Sequence, residues 1–180
     1  MKIILISGKA QHGKDTFASM LKQDLEASGQ RVLISHYGDL LKYVYKTFYG
    51  WDGDKSNPEG RAGLQRLGTD IIRKHIPSYW CDFVKFWADH VCDLYDYMII
   101  PDVRFENEIS VFSDYDCTKI KIQRIGDLSD AAIANMNHAS ETSLDNYKDW
   151  DYIIVNHSGE VGKLRNKSYL LSKELTDEEG

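Results

Sequence analysis

Near its amino-terminal end the apolar run Ile3-Ile4-Leu5-Ile6 passes directly into GKAQHGKDT, residues 8–16. An uninterrupted apolar run of this length suits a strand covered on both faces, and such strands belong to parallel sheets. Beyond the loop, Phe17, Met20, Leu21 and Leu25 recur at helical spacing. Strand, glycine-framed loop and helix in that order predict an α/β layered fold. They also predict a ligand. Gly8 and Gly13 allow Lys9, Ala10, Gln11 and His12 to turn their backbone N–H groups inward around an oligophosphate. Lys14 adds a mobile positive charge and the helix its positive end. The segment is therefore read as a phosphate-binding P-loop.

After the loop lysine such loops normally carry Ser or Thr, whose hydroxyl binds Mg2+; here Asp15 stands there and Thr16 follows it. Asp15 can hold the metal directly, hold it through water or position the acceptor. As an acid in the first turn it also suits the helix dipole without any ligand.

The 180 residues are 42% hydrophobic and 28% charged, which fits one globular domain with a core of ordinary size. A net charge of −6, without a Lys/Arg cluster, argues against a nucleic-acid polymer as partner. No stretch approaches the length of a membrane span, and Met1-Lys2 leads straight into the first strand, so a cytoplasmic protein is expected. Cys81, Cys92 and Cys117 are odd in number and lack C-x2-C spacing, so reduced, mostly buried thiols are expected. Oligomeric state is left open, a homodimer included.

Strand-like runs at 3–6, 32–34, 98–100, 120–125 and 152–155 alternate with helix-compatible stretches, predicting a parallel five-stranded sheet flanked by helices. A helix is expected over about 39–48 and another over 61–74 with Leu64, Leu67, Ile71 and Ile72 on one side. A third, over 79–93, carries Phe83, Phe86, Trp87 and Val91, and a last one covers 161–175. The whole reads as a single domain, 1–180, with a helical acceptor-binding insertion over about 50–95 and a polar, lid-like segment over 126–145. Pro101 is expected to end the third strand.

Chemistry-bearing residues gather at that strand's end, in IIPDVRFENE. Asp102 leaves an apolar strand as a Walker B-like acid suited to Mg2+ or its water shell, and Arg104, two residues on, shares its face in extended backbone. Gln65, Thr69 and Arg73 follow at i, i+4 and i+8, a polar face able to clasp an acceptor phosphate and its base, or simply a solvated face. Asp39 and Lys42 lie at the sheet's carboxyl edge, where open α/β sheets bind ligands. Charge neutralisation falls to Lys9, Lys14, Arg73, Arg104 and Arg124. In HASETSLD, 138–145, Ser140 or Thr142 as a helix cap is a sufficient account. The tryptophans Trp51, Trp80, Trp87 and Trp150 read as packing residues, Trp80 with some claim to flank a base. For His12 the backbone is expected to matter more than the ring, and His36, His75, His90 and His157 show no metal-ligand spacing.

Taken together, GKAQHGKDTFA (8–18), YGDLLK (37–42), GWDGDK (50–55), LQRLGTDIIR (64–73), IIPDVRFENEI (99–109) and HASETSLDNY (138–147) resemble the bacteriophage-type deoxynucleoside monophosphate kinase family. Leu40 and Glu106 stand where that family usually has proline. The resemblance implies a P-loop kinase fold and transfer of the ATP γ-phosphoryl group to a deoxynucleoside 5′-monophosphate. It further implies that Gly8, Gly13, Lys14, Asp15 and Thr16 hold ATP and Mg2+, that Asp39, Lys42, Gln65, Arg73 and Arg104 surround the acceptor, and that Glu141 belongs to the closing segment. Phosphomevalonate kinase shares the GKxxxGKD loop and an H-x-S/A-E segment, and dephospho-CoA kinase is a more distant likeness. A nucleotide-binding sensor is the non-enzyme alternative.

Overall fold

A computed structural model describes residues 1–54, 57–126 and 138–177. Five strands, β1 (Lys2–Ser7), β2 (Val32–Ile34), β3 (Tyr97–Val103), β4 (Cys117–Ile125) and β5 (Tyr152–His157), form one sheet in the order β2-β3-β1-β4-β5. Every pairing is parallel. β1 is central, which explains its unbroken apolar run. Ile4 and Ile6 point to one face, against Phe17, Leu21 and Leu25 of α1 (Lys14–Ala27) and Leu164, Leu171 and Leu175 of α7 (Val161–Asp177). Ile3 and Leu5 point to the other, against Cys81, Val84 and Ala88 of α4 (Tyr79–Val91) together with Phe112 and Leu144. Each such fully buried aliphatic side chain contributes about 1.5–3 kcal/mol by leaving water. Where α1 meets α7, the buried Asp24 accepts from Ser168 Oγ at 2.6 Å and pairs with Arg165 at 2.6 Å.

Three expectations need correction. Pro101 does not end the third strand but sits inside β3: Leu5 faces Ile100 while Ser7 faces Val103, so β3 carries one extra residue across from β1. That bulge accommodates a residue with no N–H to give the ladder.

The face assigned to α4 is also wrong. Phe83, Phe86 and Trp87 are 45%, 60% and 47% exposed, and the helix buries Trp80, Cys81, Val84, Ala88 and Val91 instead. Trp87 is thus no core residue. The larger aromatics lay on the competing stripe, and apolar character alone could not rank the two.

The helix expected over 61–74 begins earlier, as α3 (Pro58–Gln65), where Asn57 Oδ1 accepts from the Glu59 N–H and Pro58 opens the first turn. From Arg66 to Arg73 it widens into π-helical winding, and Ile71, expected on the apolar side, is 44% exposed. The buried Gly68 is the pivot of this segment. Its carbonyl accepts from Trp80 Nε1 at 3.1 Å, and a Cβ there would lie 2.4 Å from a Leu41 methyl. Leu41 belongs to α2 (Gly38–Tyr49), the helix after β2. Of the three thiols, Cys81 is buried and Cys92 and Cys117 are half-buried; all three are free.

Candidate functional site

The loop between β1 and α1 is held open by backbone geometry. Gly8 and Gly13 have φ of 153° and 90°, and Gln11 takes a left-handed φ of 62°. Lys14 is buried, and its ammonium donates to the Lys9 carbonyl at 2.8 Å, inside its own loop. Burial, seconded by Arg104, lowers it to about 8.

His12 corrects the expectation that its ring is incidental. The ring is buried against β4, with Nδ1 3.2 Å from the Ile122 carbonyl and 3.3 Å from the Arg124 N–H, so it fastens the loop to the neighbouring strand. Burial keeps its pKa below the ordinary value, which favours the neutral ring.

A cleft of about 760 Å³ opens beside Lys14, at the carboxyl edge of the sheet. Of the expected residues, Ala10, Gln11, Lys14 and Asp15 line it from the loop side. Lys42, Gln65, Thr69 and Arg73 line it from the helices, and Asp102, Arg104 and Glu141 from the far edge. Gly8, Lys9, His12, Gly13, Thr16 and Asp39 are not on its wall. Thr16 and Gly13 instead line a smaller cavity of about 370 Å³, enclosed by Arg124, Asn156, Ser158, Gly159 and Leu164; Lys14 and Asp15 border both spaces.

Asp102 uses both carboxylate oxygens on the start of α2, accepting from the Tyr37 N–H at 2.9 Å and the Gly38 N–H at 3.0 Å. Asp102, expected as a Walker B-like acid, is therefore an anchor for the start of α2. Just ahead of that helix, His36 lies between two carboxylates. Its Nε2 is 3.6 Å from Asp15 and its Nδ1 3.1 Å from Asp39. Hydrogen bonds to Asp15 and Asp39 raise its pKa to about 9. Asp39 also accepts from Lys42 at 2.7 Å; burial pushes its carboxyl upward, but His36 and Lys42 hold it well below the ordinary range.

Two of the arginines that line the cleft, Arg73 and Arg104, are each held by a buried acid. Arg104 pairs with Glu141 and donates to the Ser140 carbonyl at 2.9 Å. Glu141, on the short helix α6 (Ala139–Thr142), also accepts from the Ala10 N–H of the loop at 2.8 Å, and Lys9 pairs with Asp145 at 3.1 Å. The segment after residue 137 is thus tied to the phosphate-binding loop. Its cap is His138, whose ring accepts from the Ser140 N–H, and neither Ser140 nor Thr142. The remainder of the lid-like segment, 127–137, lies outside the described residues.

Arg73 pairs with Glu108 on α5 (Glu106–Ser110) and donates to Asn107 Oδ1 at 3.0 Å, its guanidinium 3.9 Å over the Phe105 ring. On the other side of the loop, Arg124 donates to the Gln11 carbonyl and to Ser158 Oγ.

Sequence reasoning missed His36, Glu108 and Phe105. His36 had a usable signal, since it follows β2 by two residues at the same edge that singled out Asp39 and Lys42. Glu108 had a weaker one, the third position of a short helix.

This strand order and loop define a P-loop NTPase α/β fold. Residues 60–168 match the deoxynucleotide monophosphate kinase family. A protein of Acanthamoeba polyphaga mimivirus bearing that kinase name is 28% identical over 182 residues, 87% of this chain and 89% of the viral one. The deoxynucleotide monophosphate kinase of Enterobacteria phage T4 is 32% identical over 109 residues, 59% of this chain and 42% of its own length. Among solved structures, that of APE1195 superposes with a TM-score of 0.51 at 13% identity, covering 96% of this chain and 94% of its own, a likeness of fold. The chain belongs to the deoxynucleotide monophosphate kinase family and is a nucleotide kinase.

Proposed function

We propose that the protein transfers the γ-phosphoryl group of ATP to a deoxynucleoside 5′-monophosphate, with the loop, the cleft and the smaller cavity as donor-phosphate, acceptor and donor-base positions. One observation carries this reading: the loop lysine and two acid-clamped arginines, Arg73 and Arg104, converge on one cleft large enough for a nucleotide. A dianionic acceptor beside a donor oligophosphate needs that much positive charge at short range.

The acceptor is already anionic, so no general base or protein nucleophile is needed. An acceptor phosphate oxygen attacks the γ-phosphorus as the bond to the β-phosphate oxygen breaks, and ADP leaves with that electron pair. In this reading loop backbone N–H groups other than that of Ala10, which Glu141 engages, and that of His12, which the Lys9 carbonyl engages, hold the donor phosphates together with the start of α1. Lys14 and Arg104 offset charge on the moving group, while Arg73, Gln65, Thr69 and Lys42 position the acceptor. His36 and Asp39 keep Asp15 and Lys42 in place.

Mg2+ fits the donor set, because Asp15 and Asp102 present hard oxygens to the cleft beside Lys14 and such an ion takes most of its shell from phosphate and water. When bound it would neutralise phosphate charge. Thr16, on the smaller cavity, would meet it from the donor side.

The chain works as one kinase domain, with the insertion at 50–95 supplying the acceptor wall and the segment at 126–145 the closing element, in the cytoplasm. No described helix is long and apolar enough to cross a membrane.

The test is ADP formation from ATP and Mg2+ across deoxynucleoside monophosphates, phosphomevalonate, dephospho-CoA and no acceptor. ADP should appear only with deoxynucleotides, and Lys14→Ala should lower turnover on the order of 100-fold or more. A response to phosphomevalonate alone, or none to any acceptor, refutes the reading.

A further inference from the structure

The structure assigns to Glu108 the role of positioning residue for the acceptor phosphate: this buried carboxylate fixes the Arg73 guanidinium relative to the Arg104 backbone. The inference rests on the kinase reading and deepens its acceptor half. Glu108 is 2% exposed, yet is part of the cleft wall. Its Oε2 accepts from the Arg104 N–H at 2.6 Å and the Phe105 N–H at 3.1 Å, and its Oε1 accepts from Arg73 Nη2. One side chain therefore holds the backbone that carries the first arginine and the guanidinium of the second.

The remaining contacts make a rigid clamp. Asn107 Oδ1 takes Arg73 Nη1, and Asn107 Nδ2 donates to the Pro77 carbonyl at 2.8 Å, so the asparagine is itself fixed. Phe105 closes the guanidinium from one face. Asn107 and Glu108 hold Nη1 and Nη2, Cys81 is a further hydrogen-bond neighbour, and Arg73 still lines the cleft, where a ligand can meet it. An arginine that meets a phosphate in a fixed orientation loses less freedom on binding than one drawn from solvent. Burying a carboxylate is a costly way to fill space, since apolar residues of similar volume commonly serve as well. Orientation of the arginine accounts for its presence where packing does not. Burial in turn pushes the Glu108 carboxyl up to about 7, against the pull of Arg73 and the Arg104 amide.

The experiment is a double-mutant cycle in steady-state kinetics with the full chain, using Glu108→Gln, Arg73→Ala and the double variant, with ATP and each deoxynucleotide varied in turn. Glu108→Gln loses the charge but keeps the shape, and with its oxygen still accepting from the Arg104 and Phe105 N–H groups it turns an NH2 donor toward Arg73. The acceptor KM should rise about tenfold or more while the ATP KM stays within twofold. The double variant should be no worse than Arg73→Ala, because Glu108 acts through that arginine. Equal rises in both KM values, or losses that multiply in the double variant, overturn the inference while the kinase reading stands. A wild-type protein silent with every deoxynucleotide overturns both. Should Glu108→Gln fail to fold, Asn107→Ala removes only the second anchor and must raise the acceptor KM in the same Arg73-dependent way, or the inference falls.

Discussion

Replacing Gly8 by alanine tests the coupling between loop and sheet. At φ 153° the position is costly for any L side chain, and the new Cβ would lie 2.4 Å from the Ile122 carbonyl oxygen in β4. Real Cβ contacts stop near 3.0 Å, so loop and strand must part by roughly 0.6 Å or more. Neither partner is a flexible side-chain tip, and Ile122 is also the residue whose carbonyl faces the His12 ring. Backbone strain of this kind costs about 1–3 kcal/mol, and the overlap adds to it, for a total of roughly 2–4 kcal/mol. At about 2–4 °C per kcal/mol for a chain of this size, the melting temperature should fall by about 4–16 °C. Because a shift near 1 Å in reactant placement costs on the order of 100-fold, kcat should fall by roughly one to two decades even well below the melting temperature. Differential scanning fluorimetry and coupled ADP release at 20 °C measure both. A variant that melts within 1 °C of the wild type and turns over within twofold would refute the argument that this glycine is required by the approach of loop to strand.

Two further outcomes are expected. His36 has its pKa raised to about 9 from an ordinary 6.5, so its contribution to stability is complete below pH 6.5 and is lost as pH rises through 9. In metal-free buffer the melting-temperature advantage of the wild type over His36→Gln should shrink across that window, and parallel pH profiles would contradict the pairing with Asp15 and Asp39. On α4, Trp87→Gln should change stability by no more than about 0.5 kcal/mol, whereas Val84→Ala, at 1% exposure, should cost roughly 1 kcal/mol or more. Urea denaturation that ranks the two in the opposite order would reject the buried face described for this helix.

The parallel sheet was legible because β1 carries its evidence in consecutive residues: an unbroken apolar run and a glycine loop leave few alternatives. The same holds for the helix after the loop, where Phe17, Leu21 and Leu25 are buried as spaced. α4 was misread because Phe83, Phe86 and Trp87 make as good a stripe as Trp80, Val84 and Val91. Only the tertiary partner decides between them. The widened turn after Gln65 is set by Gly68 meeting Leu41 and Trp80, contacts made across 27 and 12 residues of chain. Within the cleft, Asp102 and Arg104 were readable from the end of a strand, which fixes their direction, and Lys14 from the glycine-framed loop before it. The ring of His12 was not, because its role lies in what it touches across the fold; His36 and Glu108 offered only their positions after a strand and in a short helix, and their partners settled the rest.

The bond from Lys14 to the carbonyl of Lys9 closes the loop around its own cation. On the proposed function a phosphate would meet a preformed ring and exchange one partner of the ammonium, a neutral dipole, for an anion. The exchange also alters the lysine's basicity. Burial holds this ammonium near pKa 8, so negative charge arriving at the loop would raise its proton affinity, and on the proposed function nucleotide binding in mildly alkaline solution would draw a proton from the medium. Phosphate binding and charge on the lysine would then form a single equilibrium.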